Sequence, residues 1–232
     1  MNIAIFFVEI CIVFGLLVLC HRLFGKTGCI AWVAMATILA NIITAKNAMI
    51  FNLSTAIGTV MFASVFLATD ILSECYGKQH AKKAVMIGLF ANVVLIGSTQ
   101  IALLYIPSPF DYANEAMQTL FSLNLRISIA SAIMYFVSNM ADVYIFNKLK
   151  EKMNSRALWV RNNVATVICN CLENFGFIWL AFVGIYDTRT ILTIAISTSI
   201  VEMIAAVCDT PFLYLARRNY AKAKIGDRPE RV

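Results

Sequence analysis

The chain contains 232 residues, of which 60% are hydrophobic and only 14% are charged, and its formal net charge is +6. A bilayer-spanning helix needs about 20 mostly apolar residues, and seven windows meet this need: 2–20, 28–46, 54–74, 84–106, 126–147, 163–186 and 190–215. They fill most of the chain and exclude a separate soluble domain. We therefore predict an all-α, polytopic membrane helix bundle in a single integral domain over residues 1–232.

The basic residues predict the orientation of this bundle. When the gaps between windows are assigned alternately to two sides, 16 of the 19 Lys and Arg residues fall on one side, and only Lys46, Arg126 and Arg189 fall on the other. Basic loops stay in the cytoplasm during insertion, so we expect the N-terminus outside and the C-terminus inside. The positive charge then faces anionic membrane lipid, and no nucleic-acid partner is expected.

The first window has an alternative interpretation as a cleaved signal peptide. It has no basic segment before its apolar run, and Arg22 and Lys26 follow the run instead. These flanks favour a retained helix with its N-terminus outside.

Motifs that would indicate hydrolysis or redox chemistry are missing from the sequence. It contains no Walker loop, no His-Glu-x-x-His and no Gly-x-Ser-x-Gly segment. Cys169 and Cys171 would point to different faces of a helix, which is a poor arrangement for a zinc site. We therefore expect no enzymatic activity, no cofactor and no bound metal.

Polar side chains inside the apolar windows are the candidate functional residues, because a carboxylate at mid-bilayer is costly unless it is paired, protonated or hydrated. Glu173 and Glu202 have no basic residue within reach along their own helices, which favours a function for them. The predicted substrate-binding residues are Asn41, Asp70, Glu74, Asn139, Asp142, Asn170, Glu173, Trp179, Glu202 and Asp209.

Structural interpretations of several of these residues stay open. Asp70 and Glu74 lie at the inner end of a helix, where acids oppose the macrodipole, and could pair with the lysines of the next loop. Asp142 could be interfacial beside Lys148. The three Asn residues could join helices through hydrogen bonds, as is common in membrane bundles.

The intramembrane acids outnumber the intramembrane cations, which the helices supply only at their outer ends. Protonation or a ligand that carries donors would resolve this imbalance. A carboxylate accepts two parallel N–H bonds, and aromatic rings can stack on a flat ligand. A flat, donor-rich heterocycle therefore suits the acids and amides together with the nearby aromatic residues Tyr135, Phe136, Tyr144, Phe175, Phe177 and Trp179.

Four segments resemble those of a known family. They are Phe66-Leu67-Ala68-Thr69-Asp70-Ile71-Leu72-Ser73-Glu74-Cys75-Tyr76-Gly77; Asp142-Val143-Tyr144-Ile145-Phe146-Asn147-Lys148-Leu149; Asn170-Cys171-Leu172-Glu173-Asn174 with Ile178-Trp179-Leu180-Ala181-Phe182; and Asp209-Thr210-Pro211-Phe212. In this order they resemble the queuosine precursor transporters, also described as vitamin-uptake transporters. The match covers roughly residues 28–218.

The resemblance implies import of 7-cyano-7-deazaguanine, 7-aminomethyl-7-deazaguanine or queuine across a bacterial inner membrane, for the queuosine modification of transfer RNA. It implies a six-helix transporter core over 28–218, an additional N-terminal transmembrane helix over 1–24 and a basic cytoplasmic tail over 219–232. Asp70, Glu74, Asp142, Asn170 and Glu173 are the site residues carried over by position. A homodimer is compatible with this resemblance.

Two departures from the family pattern bear on the substrate. The family often has Asp where this chain has Glu173, and many members have a basic residue at the position of Glu202. An anion in place of a cation favours a cationic ligand, which is the aminomethyl compound or queuine. The alternatives are a substrate-binding subunit of an energy-coupling-factor-like vitamin transporter and, from another class, an intramembrane carboxylate enzyme.

Overall fold

The computed structural model describes residues 1–121, 125–153 and 156–226, and most of these residues are helical. The elements in chain order are α1 (Asn2–Ile43), β1 (Asn47–Ile50), β2 (Leu53–Ala56), α2 (Thr59–Cys75), α3 (Lys78–Ala102), α4 (Asn114–Phe121), α5 (Leu125–Lys152), α6 (Leu158–Phe182) and α7 (Thr188–Gly226). The fold is an all-α bundle with one small hairpin. The last part of the predicted basic tail, 227–232, lies outside the described residues.

Helix α1 folds back on itself at Gly25. The backbone there has φ 58° and ψ −137°, a conformation that a residue without a Cβ atom adopts most easily. The side-chain amide of Asn2 donates to the backbone oxygen of Met49 at 3.0 Å, so the beginning of α1 lies beside the segment that follows its end. The two halves of α1 are therefore antiparallel and correspond to the first two predicted windows.

Helices α1, α3, α5, α6 and α7 are long and apolar enough to cross a membrane, which makes this a multi-pass membrane protein. Helix α2 has only 17 residues. If α2 and the two halves of α1 are each counted as one crossing, the bundle has the seven segments that the sequence predicts.

Helix α2 is the central helix of the bundle. It contacts α1, α3, α5 and α7, and its side chains from Thr59 to Ser73 are buried with the single exception of Phe62, which is half-buried. A helix that is buried on all sides has to satisfy its polar groups within the protein. The positions of Asp70 and Glu74 on this helix therefore depend on what the surrounding helices offer them.

The third predicted window, 54–74, begins too early. Residues 47–56 form the antiparallel hairpin of β1 and β2, in which Asn47 pairs with Ala56 and Ile50 with Leu53. The turn residues Phe51 and Asn52 both have positive φ, 52° and 61°, as the favoured two-residue hairpin turns require. An apolar window does not distinguish this short hairpin from the end of a helix, so hydropathy alone does not predict it.

Candidate functional site

A cavity of about 690 Å³ lies between the helices at the end of the bundle that carries the hairpin. Apolar and aromatic side chains of α2, α3, α5, α6 and α7 form most of its wall. Polar groups also reach the cavity, and they are Asn41, Thr44, Asn47, Ser54, Thr55, Thr59, Thr99, Ser131, Asn170, Glu173, Asn174, Thr193, Ser197, Thr198 and Glu202. Small-molecule sites commonly combine such an apolar wall with a few convergent polar groups.

Two carboxylates, Glu173 on α6 and Glu202 on α7, face this cavity. Ser138 donates to Glu173 Oε2 at 2.7 Å, and Asn174 donates to Glu202 Oε2 at 2.5 Å. The two carboxylates are close enough to act on each other electrostatically. Both are held by neutral donors of the protein, so a ligand with N–H groups or a positive charge would find strong acceptors here.

A second acidic layer lies deeper than the cavity and does not line it. Asp70 on α2, Asp142 on α5 and Asp209 on α7 are each fully buried. Asn162 donates to Asp209 at 2.5 Å. Asp70 and Asp142 face each other, and in the described part of the chain no N–H or O–H group donates to either of them within hydrogen-bond distance.

The deepest layer is an ion cluster around Glu74. Its carboxylate lies 2.7 Å from Arg161 Nη2, 3.1 Å from Lys150 Nζ and 3.3 Å from Arg217 Nε. These cations come from α6, α5 and α7, so one side chain of α2 joins three other helices. Lys150 also donates to the backbone oxygens of Ser73 and Glu74. The cluster closes the end of the bundle opposite the cavity.

Comparison with known proteins identifies the family. The family model described as "Putative vitamin uptake transporter" matches residues 56–216. A "Probable queuosine precursor transporter" of Bacillus subtilis is 33% identical over 206 residues, which cover 88% of this chain and 90% of the relative. The chain belongs to the vitamin uptake transporter family. This makes it a membrane transporter, and the resemblance inferred from the four sequence segments is confirmed.

Two further relatives agree with this assignment. A "Probable queuosine precursor transporter" of Haemophilus influenzae is 30% identical and covers 57% of this chain and 54% of the relative. The "Queuosine precursor transporter" of Escherichia coli is 27% identical and covers 65% of this chain and 67% of the relative. No solved structure matches the chain.

In this vitamin uptake transporter family member, four of the ten predicted site residues line the cavity, and they are Asn41, Asn170, Glu173 and Glu202. Asp70, Asp142 and Asp209 form the deeper layer instead, and Glu74 belongs to the ion cluster. Asn139 is buried and donates to the backbone oxygen of Tyr135 at 2.9 Å, as expected for a group that stabilises its own helix.

Trp179 lies on the wrong face of α6 to stack on a ligand in the cavity. It is 46% exposed, and it continues the exposed stripe of Ile168, Leu172 and Phe175 at helical spacing. The sequence places Trp179 close to Glu173 but does not reveal that a step of six residues turns it to the outer surface. The aromatic residues that do line the cavity are Phe62, Phe66, Phe121, Phe177 and Phe182.

Two structural alternatives for the inner acids are also wrong. Glu74 pairs with Lys150, Arg161 and Arg217, and not with the lysines of the loop that follows it. Asp142 is fully buried, while Lys148 lies over the ring of Tyr144. Asp142 is therefore an interior residue and not an interfacial one.

Arg161 is the main functional residue that the sequence analysis missed. The predicted windows leave it in the gap between 147 and 163, but it lies in the first turn of α6 and its side chain is fully buried. Its guanidinium packs 5.1 Å from the centre of the Phe146 ring. The available signal was the apolar run Leu158-Trp159-Val160 directly before it, because a cation within an apolar helix needs an acidic partner.

Proposed function

We propose that this transporter imports 7-deazaguanine precursors of queuosine, namely 7-cyano-7-deazaguanine, 7-aminomethyl-7-deazaguanine or queuine, for transfer RNA modification. The cavity with Glu173 and Glu202 on its wall is the observation that supports this most directly. Its volume of about 690 Å³ lies in the range of small-molecule sites. The names of the three relatives point to the same class of substrate.

The cavity offers a flat base the two kinds of contact that it needs. Phe62 and Phe66 on α2 and Phe177 on α6 line the cavity and supply faces on which a heterocycle can stack. Glu173 and Glu202 accept hydrogen bonds from the N–H groups along one edge of the base. We assign these carboxylates to binding and not to bond cleavage.

A growth-independent assay tests this function. The gene is expressed in a strain that lacks precursor synthesis and its own importer, and queuosine in transfer RNA is measured with each precursor supplied separately. We expect queuosine with at least one precursor and none with the empty vector. Membrane-inserted protein that yields no queuosine with any of the three compounds would contradict the proposal.

Glu202 leads us to propose a preference for a positively charged substrate. A carboxylate in a partly dehydrated cavity binds an ammonium group more strongly than a neutral nitrile. In competitive uptake, excess aminomethyl compound should therefore block entry of the cyano compound better than the reverse. Equal competition, or a preference for the nitrile, would remove this proposal without affecting the import of precursors in general.

We also propose that the cavity faces the outside and the Glu74 cluster faces the cytoplasm of a bacterium, with this protein in the inner membrane. The basic residues support this, because Lys150, Arg161 and Arg217 meet at the end opposite the cavity. A cysteine at Tyr112, which is exposed, should react with an impermeant maleimide on intact cells. A cysteine at Lys222 should react only after permeabilisation, and the reverse result would invert the orientation.

A further inference from the structure

The fully buried aspartates beneath the cavity form a site that substrate recognition does not explain. On each of three helices, one aspartate lies beyond a cavity-lining residue, in the direction of the Glu74 cluster. Asp70 comes four residues after Phe66, and Asp209 comes seven residues after Glu202. On α5, Asp142 lies eight residues beyond Met134 of the cavity wall. At 1.5 Å per residue, these carboxyl groups lie roughly 6–12 Å deeper than the wall of the cavity.

The protein supplies few donors to this layer. Asp209 receives the side-chain amide of Asn162, and Asp142 lies beside the hydroxyl group of Thr166. Neither oxygen of Asp70 has a donor in the described part of the chain. Asp70 and Asp142 face each other, and two ionised carboxylates cannot donate to one another, whereas a single proton between them would satisfy both.

Few charged groups of the described residues lie near this pair of aspartates. The groups that act on Asp70 are Asp142 from α5, Asp209 from α7, Arg161 from α6 and Glu74 from its own helix. The thiol of Cys169 on α6 also lies near both aspartates. Within the described residues, Arg161 is the cation that reaches this layer, and its Nη2 is already bonded to Glu74 at 2.7 Å.

Arg161 has capacity for a second carboxylate. Its side chain is fully buried, and its Nε and Nη1 atoms have no hydrogen-bond partner within the described ranges. A guanidinium presents several donors in a fixed fork, so Arg161 can pair with an aspartate when that aspartate becomes ionised. Ionisation in the aspartate layer would then compete with the Glu74 cluster for the same cation.

We propose that Asp70 and Asp142 form a proton-binding site, separate from the substrate cavity, that couples import of the precursor to entry of a proton. The proposal rests on the proposed function. A proton from the outer side binds between the two carboxyl groups and leaves to the cytoplasm. On release, the ionised aspartate attracts the free donors of Arg161 and weakens its bond to Glu74, which loosens the inner end of the bundle for substrate release.

A proton is the preferred coupling ion on the chemistry present. Within the described residues, the facing carboxyl groups of Asp70 and Asp142 lack the donors that would stabilise two negative charges, and one shared proton supplies what they lack. A sodium ion is the competing coupling ion, and the experiment includes it.

Purified protein in lipid vesicles tests the proposal in two assays. The first measures accumulation of a radiolabelled precursor, here 7-aminomethyl-7-deazaguanine and, in a parallel series, the cyano compound, with an inward proton gradient of one pH unit. One proton per substrate supports about tenfold accumulation. The second measures exchange of labelled for unlabelled precursor without any gradient, which requires binding and crossing but no net proton movement.

For the unsubstituted protein we expect accumulation with the proton gradient, acidification reported by a dye inside the vesicles, and no stimulation by a sodium gradient. Asp142→Asn and Asp70→Asn should each lose the accumulation and the acidification while exchange persists. Asp142→Glu, which keeps an ionisable group, should recover part of the accumulation. Glu9→Gln, which replaces a half-buried acid on the first half of α1, is the matched control and should behave as the unsubstituted protein.

Several outcomes would overturn the proposal. Asp142→Asn that still accumulates substrate with the proton gradient would show that the pair carries no coupling proton. If both Asn variants lose exchange as well as accumulation, the aspartates belong to substrate binding or to folding. Stimulation of the unsubstituted protein by sodium alone would replace the proton. Exchange without proton entry overturns the coupling only, whereas absence of exchange for every precursor overturns the proposed function as well.

Discussion

Buried carboxylates have opposite kinds of partner at the two ends of the bundle. At the end that holds the ion cluster, Glu74 is surrounded by three cations from three helices. At the cavity, the donors that reach Glu173 and Glu202 from the described residues are the neutral groups of Ser138 and Asn174. A carboxylate that cations of the protein surround holds helices together, whereas one whose protein partners are neutral donors is available to a ligand. The same residue type therefore has a structural role at one end and a binding role at the other.

The largest expected effect comes from removing the acid at the centre of the Glu74 cluster. Glu74→Ala leaves Arg161 buried without its partner, and removal of one member of a buried ion pair typically costs about 3–5 kcal/mol. We expect a clearly lower midpoint of thermal unfolding in detergent and loss of uptake. The measurement is the unfolding midpoint of the purified protein.

Glu151→Ala is the matched control for this change, because Glu151 is an exposed acid near the same end of the bundle. Its unfolding midpoint should stay at that of the unsubstituted protein. If Glu74→Ala and Glu151→Ala unfold at the same temperature, the Glu74 cluster does not hold its end of the bundle together.

A smaller effect should come from the cavity. Glu202→Gln keeps the size of the side chain and its contact with Asn174 but removes the charge. A hydrogen bond to a charged group contributes about 1.5–3 kcal/mol to the binding free energy. That range is about 13-fold to 160-fold in affinity, at about 1.4 kcal/mol per factor of ten. We expect a loss within it for the aminomethyl compound, a much smaller loss for the cyano compound and an unchanged unfolding midpoint.

The readout for Glu202→Gln is the concentration of each precursor that half-saturates uptake. Glu9→Gln serves again as the control and should change neither value. Equal losses for both compounds would mean that Glu202 does not recognise positive charge, and the contrast between the two ends would then rest on Glu173 alone.

The fold and part of the site can be predicted from the sequence, and the rest cannot for physical reasons. Length and hydropathy predicted the helices because a bilayer-spanning helix needs a long apolar run. Glu173 and Glu202 could be selected because no cation lies near them on their own helices. The separation of Asp70 and Asp142 from the cavity depends on how α2 and α5 pack, and a single sequence does not specify that packing.

Arg161 illustrates the same limit from the opposite direction. A basic residue beside a predicted loop is normally taken as a topology signal. Its partner Glu74 is 87 residues away in sequence, so only the folded chain shows that its charge is buried and shared. The Gly25 reversal was easier to predict, because two apolar windows separated by a short basic gap already required the chain to turn.

The smallest expected effect separates the two faces of α6. Phe177 lines the cavity, whereas Trp179 is 46% exposed on the outer stripe, although only one residue lies between them. An aromatic contact contributes about 0.5–1.5 kcal/mol beyond its buried area. Phe177→Leu should therefore raise the half-saturating precursor concentration by roughly 2–13-fold. Trp179→Leu should leave it unchanged because lipid contacts tolerate one apolar residue in place of another.

Uptake titrations of both variants at equal membrane abundance measure this difference. An increase for Trp179→Leu with none for Phe177→Leu would mean that α6 presents its other face to the substrate, and Glu173 would then need a new role.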